Sequence, residues 1–391
     1  MKMTEVGWIP KDWEVSIVGN ECDVKTGPFG SALHADDYVI KGTPIITVEH
    51  IGNIHIDRSK QIPQVSEEDK QRLKAYILKE GDIVFSRVGS IDRNSLVFKE
   101  EDGWLFSGRL LRMRKLPKAK FDPLYLCYHL NTYDSRNRIL AEAVGQTMPS
   151  LNTKILNGIS IVLPQSISEQ RRIAEVLSDT DSLISSLSRT IEKKRLVKQG
   201  AMQQLLTGKT RLKGFSGEWV EKELGEVCKI QRGSILKSSD YCYGPIPVIA
   251  GGMTPAGYHN VANREGRTIT ISASGANAGY VSIHNGKIFA SDCSTISESN
   301  EYNIDFIYQF LLVIQQEIYR AQTGGAQPHI HPKDVAPMKI KMPDYNEQFA
   351  ISERLRTMDN EIASLEAELQ KYKALKQGMM QKLLTGQIRL K

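Results

Sequence analysis

The ten residues 199–208 read Gln-Gly-Ala-Met-Gln-Gln-Leu-Leu-Thr-Gly, and 377–386 read Gln-Gly-Met-Met-Gln-Lys-Leu-Leu-Thr-Gly. Eight of the ten positions are identical, and both copies run on to Arg-Leu-Lys, at Arg211-Leu212-Lys213 and Arg389-Leu390-Lys391. Upstream, at the same offset of 178, Glu169-Gln170 matches Glu347-Gln348, Ile173 matches Ile351, and Asp181 matches Asp359. Pro164 and Pro149 answer Pro343 and Pro328 at an offset of 179. Further toward the start the likeness is fainter: Trp13 and Gly27 stand 14 apart, as do Trp219 and Gly233, at an offset of 206. The chain is therefore one unit written twice, each with a variable part and a well-matched tail. The first copy is 206 − 178 = 28 residues longer, chiefly between Pro44 and Gly89, where it carries the charged stretch 66–79.

Both tails read as long helices. From Ile173 an apolar seam runs through Leu177, Thr180, Ile184, Leu187, Ile191, Lys194, Lys198, Ala201 and Leu205 in steps of four and three. The second copy repeats it through Ile351, Leu355, Met358, Ile362, Leu365, Leu369, Tyr372, Lys376, Met379 and Leu383. A narrow 4-3 seam held over five heptads predicts antiparallel coiled-coil pairing of the two helices. The competing reading is two amphipathic helices, each packed on its own core.

The variable parts carry short β-branched runs at 44–48, Ile83–Ser86, 247–249 and 268–271, and helical stretches at 121–130 and 304–318. Glycine-bearing polar loops at 88–94 and 272–279 follow corresponding strands. The expected fold class is α+β: two mixed α/β modules separated by a pair of long antiparallel helices. The expected boundaries are 1–165 for the first module, 166–213 for the first helix, 214–343 for the second module and 344–391 for the second helix.

Composition narrows the class. No apolar run is long enough for a membrane span and the start lacks the apolar stretch of a signal peptide. Cys22, Cys127, Cys228, Cys242 and Cys293 form no Cys-x-x-Cys pair, which speaks for a reducing, cytoplasmic setting. The formal charge of +6 is unevenly spread. Residues 1–167 hold 22 basic and 21 acidic side chains and 214–345 hold 11 and 13, whereas the tails 168–213 and 346–391 hold 10 against 5 and 8 against 6. The basic excess belongs to the helices, either to meet DNA or an acidic partner or simply as a solvated face.

Two variable modules, each followed by a proline, Glu-Gln-x-x-Ile-x-x-x-Leu and a helix ending in Leu-Leu-Thr-Gly, resemble the specificity subunit of type I restriction-modification systems. The residues are Pro164, Glu169, Gln170, Ile173, Leu177 and 205–208, then Pro343, Glu347, Gln348, Ile351, Leu355 and 383–386. The resemblance implies a DNA-binding chain whose modules are target recognition domains, each reading half of a split double-stranded site. Its helices would set the distance between the halves and dock two modification (methyltransferase) subunits, with restriction subunits joining them. S-adenosylmethionine, ATP and Mg²⁺ would then belong to the partners, and none to this chain.

Catalytic marks are weak. The chain has no Pro-Pro, and Asp122-Pro123-Leu124-Tyr125 falls short of an amino-methyltransferase motif. Asp12 with Asp23-Val24-Lys25 has a nuclease-like spacing, but Lys229 and Gln231 replace Asp23 and Lys25 in the second copy. His329 and His331 could pair on a metal but read better as a polar loop. We therefore expect a non-enzymatic chain; the alternatives are a stand-alone methyltransferase or nuclease fragment, or a coiled-coil scaffold without a DNA role. Candidate base readers, chosen as polar side chains on strand-following loops, are Lys25, Ser31, Arg87, Ser90, Arg93, Asn94 and Arg109 in the first copy. The second offers Arg232, Ser234, Lys237, Ser274 and Asn277.

Overall fold

The computed structural model describes residues 1–28, 33–145, 149–324 and 327–390. It divides into two compact units, Met1–Ser186 with Leu369–Lys391 and Leu187–Glu368. Two continuous helices, α1 (Ile167–Leu205) and α2 (Tyr345–Leu383), each give one part to either unit. No proline interrupts them, and Thr-Gly follows each. Among the described residues no helix is long and apolar enough to cross a membrane.

In the first unit a four-stranded antiparallel sheet is built from β1 (Cys22–Thr26), β4 (Ile83–Ser86), β5 (Asn94–Leu96) and β6 (Leu110–Lys115) in the order β1-β6-β4-β5. A second sheet contains β2 (Thr43–Ile46), which runs parallel to Leu105–Phe106 and antiparallel to β3 (Gln64–Val65). The second unit repeats the plan. There β7 (Gln231–Arg232), β10 (Arg267–Ser272), β11 (Val281–Asn285) and β12 (Cys293–Ser297) pair in the order β7-β12-β10-β11. Its smaller sheet sets β8 (Ile246–Ile249) between β9 (Gly257–His259) and Phe289–Ala290, again with one parallel edge. Trp13–Ile17 closes on Ser160–Pro164, and Val220–Glu223 on Lys339–Met342. The repeat seen in the tails thus extends through modules whose sequences have largely diverged.

Local chemistry explains the element ends. Asp122 caps Pro123–Leu130, accepting from the N–H groups of Leu124 and Tyr125 at 3.0 Å. In the second unit Asn303, two residues before Asp305, caps Ile304–Val313. That helix stops at Ile314, and Gln315–Arg320 forms a separate helix, so the stretch read as one helix is two. Part of the surplus of the first copy folds as Glu67–Arg72, capped by Ser66, with buried Leu73 and Leu78 tucked against the small sheet.

The Glu-Gln pair that opens each long helix fastens it to the adjoining module. Gln170 accepts from the Asp122 N–H at 2.7 Å and donates to the Pro164 carbonyl at 2.7 Å. Gln348 accepts from the Asn303 N–H at 2.9 Å and donates to the Pro343 carbonyl at 2.9 Å. Glu169 and Glu347 receive Arg389 and Arg211, and Trp219 Nε1 also donates to Glu347. Every seam position is buried or half-buried. Within the first unit Lys376 pairs with Asp181 at 2.6 Å, and within the second Lys198 pairs with Asp359 at 2.6 Å, the same bond at an offset of 178. The two helices therefore run antiparallel within each unit. The seam residues Lys194, Lys198 and Lys376 pair with carboxylates of the other helix, which sets register.

One buried histidine makes the first unit sensitive to acid. His129 Nε2 accepts from the Val162 N–H at 3.2 Å, and burial, with help from Arg138, holds its pKa down to about 3. The folded state takes up no proton where the unfolded chain does, so stability falls as pH drops below about 6.5 toward 3. This site alone costs about 1.4 kcal/mol by pH 5.5. Urea midpoints measured at pH 7.5 and 5.5 should converge in His129→Gln; equal acid sensitivity in both proteins contradicts the assignment.

Candidate nucleic-acid interface

In each unit the chain leaving the central strand is pinned by the same three backbone hydrogen bonds. The first unit has Arg87 N–H to Arg109 carbonyl (2.9 Å), Leu151 N–H to Arg87 carbonyl (2.8 Å) and Gly89 N–H to Pro149 carbonyl (3.2 Å). The second has Ala273 to Asp292 (3.1 Å), Ile330 to Ala273 (3.0 Å) and Gly275 to Pro328 (3.0 Å). Gly89 and Gly275 both sit at positive φ, 81° and 78°, which lets the loop turn back at this point. The prolines matched in sequence, Pro149 and Pro328, are thus the acceptors that hold the loops.

The side chains carried by this shared frame differ. In the first unit it gathers Arg87, Ser90, Arg93 and Arg109, with Ser90 and Arg109 exposed and the other two half-buried. Arg87 Nη1 reaches the Gly108 carbonyl at 3.4 Å. Lys25 lies apart on β1, its ammonium 4.9 Å from the centre of the Tyr76 ring. Asn94 is wholly buried, and its Oδ1 accepts from Cys127 and from Asn131 Nδ2 at 2.9 Å. It is an interior residue of β5, and its proposed contact with a base is withdrawn. Ser31 falls outside the described residues.

In the second unit the frame carries Ser274, Asp292, His329 and His331, and Arg232 of β7 joins them. Arg232 Nη2 donates to Asp292 Oδ1 at 3.3 Å while Nη1 donates to His331 Nδ1 at 2.6 Å. Accepting there leaves the neutral His331 ring its proton on Nε2. Ser274 donates to the other Asp292 oxygen, and the rings of His329 and His331 stack with centroids 6.3 Å apart. Asn277 is half-buried in the turn after Ser274, whereas Ser234 and Lys237 are exposed on the segment after β7. Asp292 was missed by sequence reasoning. It occupies the place of the loop at 108–109 in the first unit, a correspondence visible only through the hydrogen bonds.

Such a cluster is chemically suited to base edges. A guanidinium fork matches guanine O6 and N7, a carboxylate accepts from cytosine N4, and a hydroxyl serves either role. The nuclease-like group does not assemble comparably: Asp12 receives Arg389 and Asp23 receives Arg112. Basic residues of the helices are also partly committed. Lys194 pairs with Glu361, Arg195 with Glu366 and Lys198 with Asp359 within the second unit, while the net excess of the tails, already counted against those carboxylates, is unchanged.

Comparison with known proteins agrees with this architecture. The MjaVIII type I restriction enzyme specificity subunit of Methanocaldococcus jannaschii is 26% identical, covering 98% of this chain and 94% of its own. A chain assigned as the MjaX specificity subunit of the same organism is 29% identical over 100% of this chain and 97% of its own. In fold, the chain is similar to the crystal structure of a type I restriction-modification S subunit from M. genitalium, with a TM-score of 0.68 at 19% identity, covering 98% of each chain. A chain from a structural study of complex assembly and conformational transition of the type I R-M system gives 0.59 at 16% identity, covering 97% of this chain and all of that one. The family model for the type I restriction modification DNA specificity domain matches twice, over residues 10–194 and 216–376. With both copies of the repeat matched, the chain belongs to the type I restriction-modification DNA specificity family.

Proposed function

We propose that this chain is the non-catalytic, sequence-reading subunit of a cytoplasmic type I restriction-modification assembly. Its modules, 1–165 and 214–343, each read one half of a bipartite DNA target. The helical segments 166–213 and 344–391 dock two methyltransferase subunits, which restriction subunits join. One observation carries the reading: the same hydrogen-bonded frame appears in both units and bears different side chains. A scaffold protein has no need to hold a frame constant while varying its polar face, whereas two readers of unlike half-sites do. Base contacts specify and phosphate contacts position, so the differing clusters are the specifying part.

Methylome sequencing of a host expressing the chain with its methyltransferase partner tests this directly. A split motif, with modified adenine in both halves, is the expected result. Arg232→Ala should relax the half read by the second unit and leave the other half intact, at a cost of roughly 1–3 kcal/mol in discrimination. Arg87→Ala and Arg93→Ala should do the reverse. Uniform loss on all sequences would reduce these residues to phosphate binders, and an unsplit or absent motif would refute the proposal.

A further inference from the structure

Ile40 and Tyr243 are among the most exposed large hydrophobic side chains, at 100% and 104% of full exposure. Single exposed apolar residues are ordinary. These two, however, occupy one position in two copies: each stands three residues before the first residue of its strand, β2 at Thr43 and β8 at Ile246. Each also follows by two a half-buried tyrosine, Tyr38 or Tyr241. Tyr38 packs among Ile45, Val65, Leu73 and Leu105, and the Tyr241 ring covers Gly257.

Both side chains are held out by a backbone fixed on either side. Before Ile40, Val39 pairs with Gln64 of β3. After it, the Gly42 N–H donates to Gln64 Oε1 at 2.7 Å, and a Cβ on Gly42 would lie 2.0 Å from the Val65 carbonyl oxygen. Before Tyr243, the Cys242 N–H donates to His259 Nδ1 at 3.0 Å. After it, a Cβ on Gly244 would lie 2.5 Å from the His259 carbonyl oxygen. In both units the anchors belong to the strand antiparallel to β2 or β8, and in both a glycine permits the close approach. A side chain presented this way loses little freedom when something covers it.

The geometry points to a pair of DNA wedges, and this rests on the functional reading above: Ile40 and Tyr243 each press against a base step of the half-site their own unit reads. Isoleucine is an aliphatic wedge of the kind that unstacks a step, and a tyrosine ring can stack on an exposed base. A lone side chain matches a base step in scale, whereas a protein interface needs on the order of 1,000 Å². Sequence divergence favours DNA too. Partner proteins common to both copies would meet the well-matched helices, but here the copies differ, isoleucine against tyrosine, as unlike half-sites require.

The test uses the full chain with its methyltransferase subunits and duplexes carrying the split motif from the methylome. 2-Aminopurine is placed in turn at each half-site position other than the methylated base. The expected result is a fluorescence rise at one step in each half. Tyr243→Ala should abolish it in one half only and weaken binding about tenfold, while Tyr243→Phe retains both. Ile40→Ala should act on the other half. Unchanged fluorescence and affinity, equal losses in both halves, or failure to assemble with the methyltransferase subunits would each overturn the wedge. If the unsubstituted complex shows no sequence-selective binding, the functional reading falls and the wedge with it.

Discussion

Arg389→Ala should destabilise the first unit by about 3–5 kcal/mol, the range for stranding one member of a buried ion pair. Glu169 is 3% exposed and its carboxylate is gripped by Arg389 through Nε at 2.5 Å and Nη2 at 2.8 Å. The same guanidinium reaches Asp12 at 2.7 and 2.8 Å and lies 5.5 Å from the centre of the Trp13 ring. Removing it leaves the buried Glu169 carboxyl without its ion-pair partner. Adding Glu169→Gln to Arg389→Ala should therefore recover a large part of the loss, because a neutral amide costs less to bury. The matched substitution Arg211→Ala should cost less, since Glu347 keeps the Trp219 indole N–H at 3.1 Å. Urea denaturation with hydrogen exchange resolved by unit measures all four proteins. Equal losses for the two arginines, or no rescue by the amide, would contradict this account.

Those pairs also show what the sequence could and could not disclose. Glu169, Glu347, Arg211 and Arg389 were all visible as repeated letters, because each tail keeps both an acidic start and a basic end. Their pairing was not visible. Arg211 belongs to the first tail and Glu347 to the second, and only the fold makes partners of residues 136 apart. Strands were legible where β-branched residues cluster, as at Ile83–Ser86, since period and turn residues act locally. Base-reading candidates were the least legible part. Asn94 and Arg93 are neighbours in a polar loop on paper, yet Asn94 opens the buried strand β5 and meets Cys127 and Asn131, whereas Arg93 precedes the strand and is half-buried. Asp292 carried no signal because its importance comes from accepting both Arg232 and Ser274.

The seam poses the sharpest choice between the two readings of the long helices, because it is both a coiled coil and a core face. Ile173 and Leu177 are fully buried within the core of the first unit, and Ile351 and Leu355 within that of the second. Leu187 and Leu365 are only half-buried. Near the start of each helix the seam is covered by a module as well as by the other helix, so truncation leaves a cavity that neighbours cannot close. Leu177→Ala and Leu355→Ala should each cost about 3 kcal/mol or more, as buried leucines do. Leu187→Ala and Leu365→Ala should cost about 1 kcal/mol, since water fills the space left at a half-open seam. Unit-resolved hydrogen exchange should place the first loss in the first unit and the second in the second. Comparable losses at all four positions would mean that the coiled coil alone holds the helices. A gradient from start to middle means that each helix is fixed first by the module it follows.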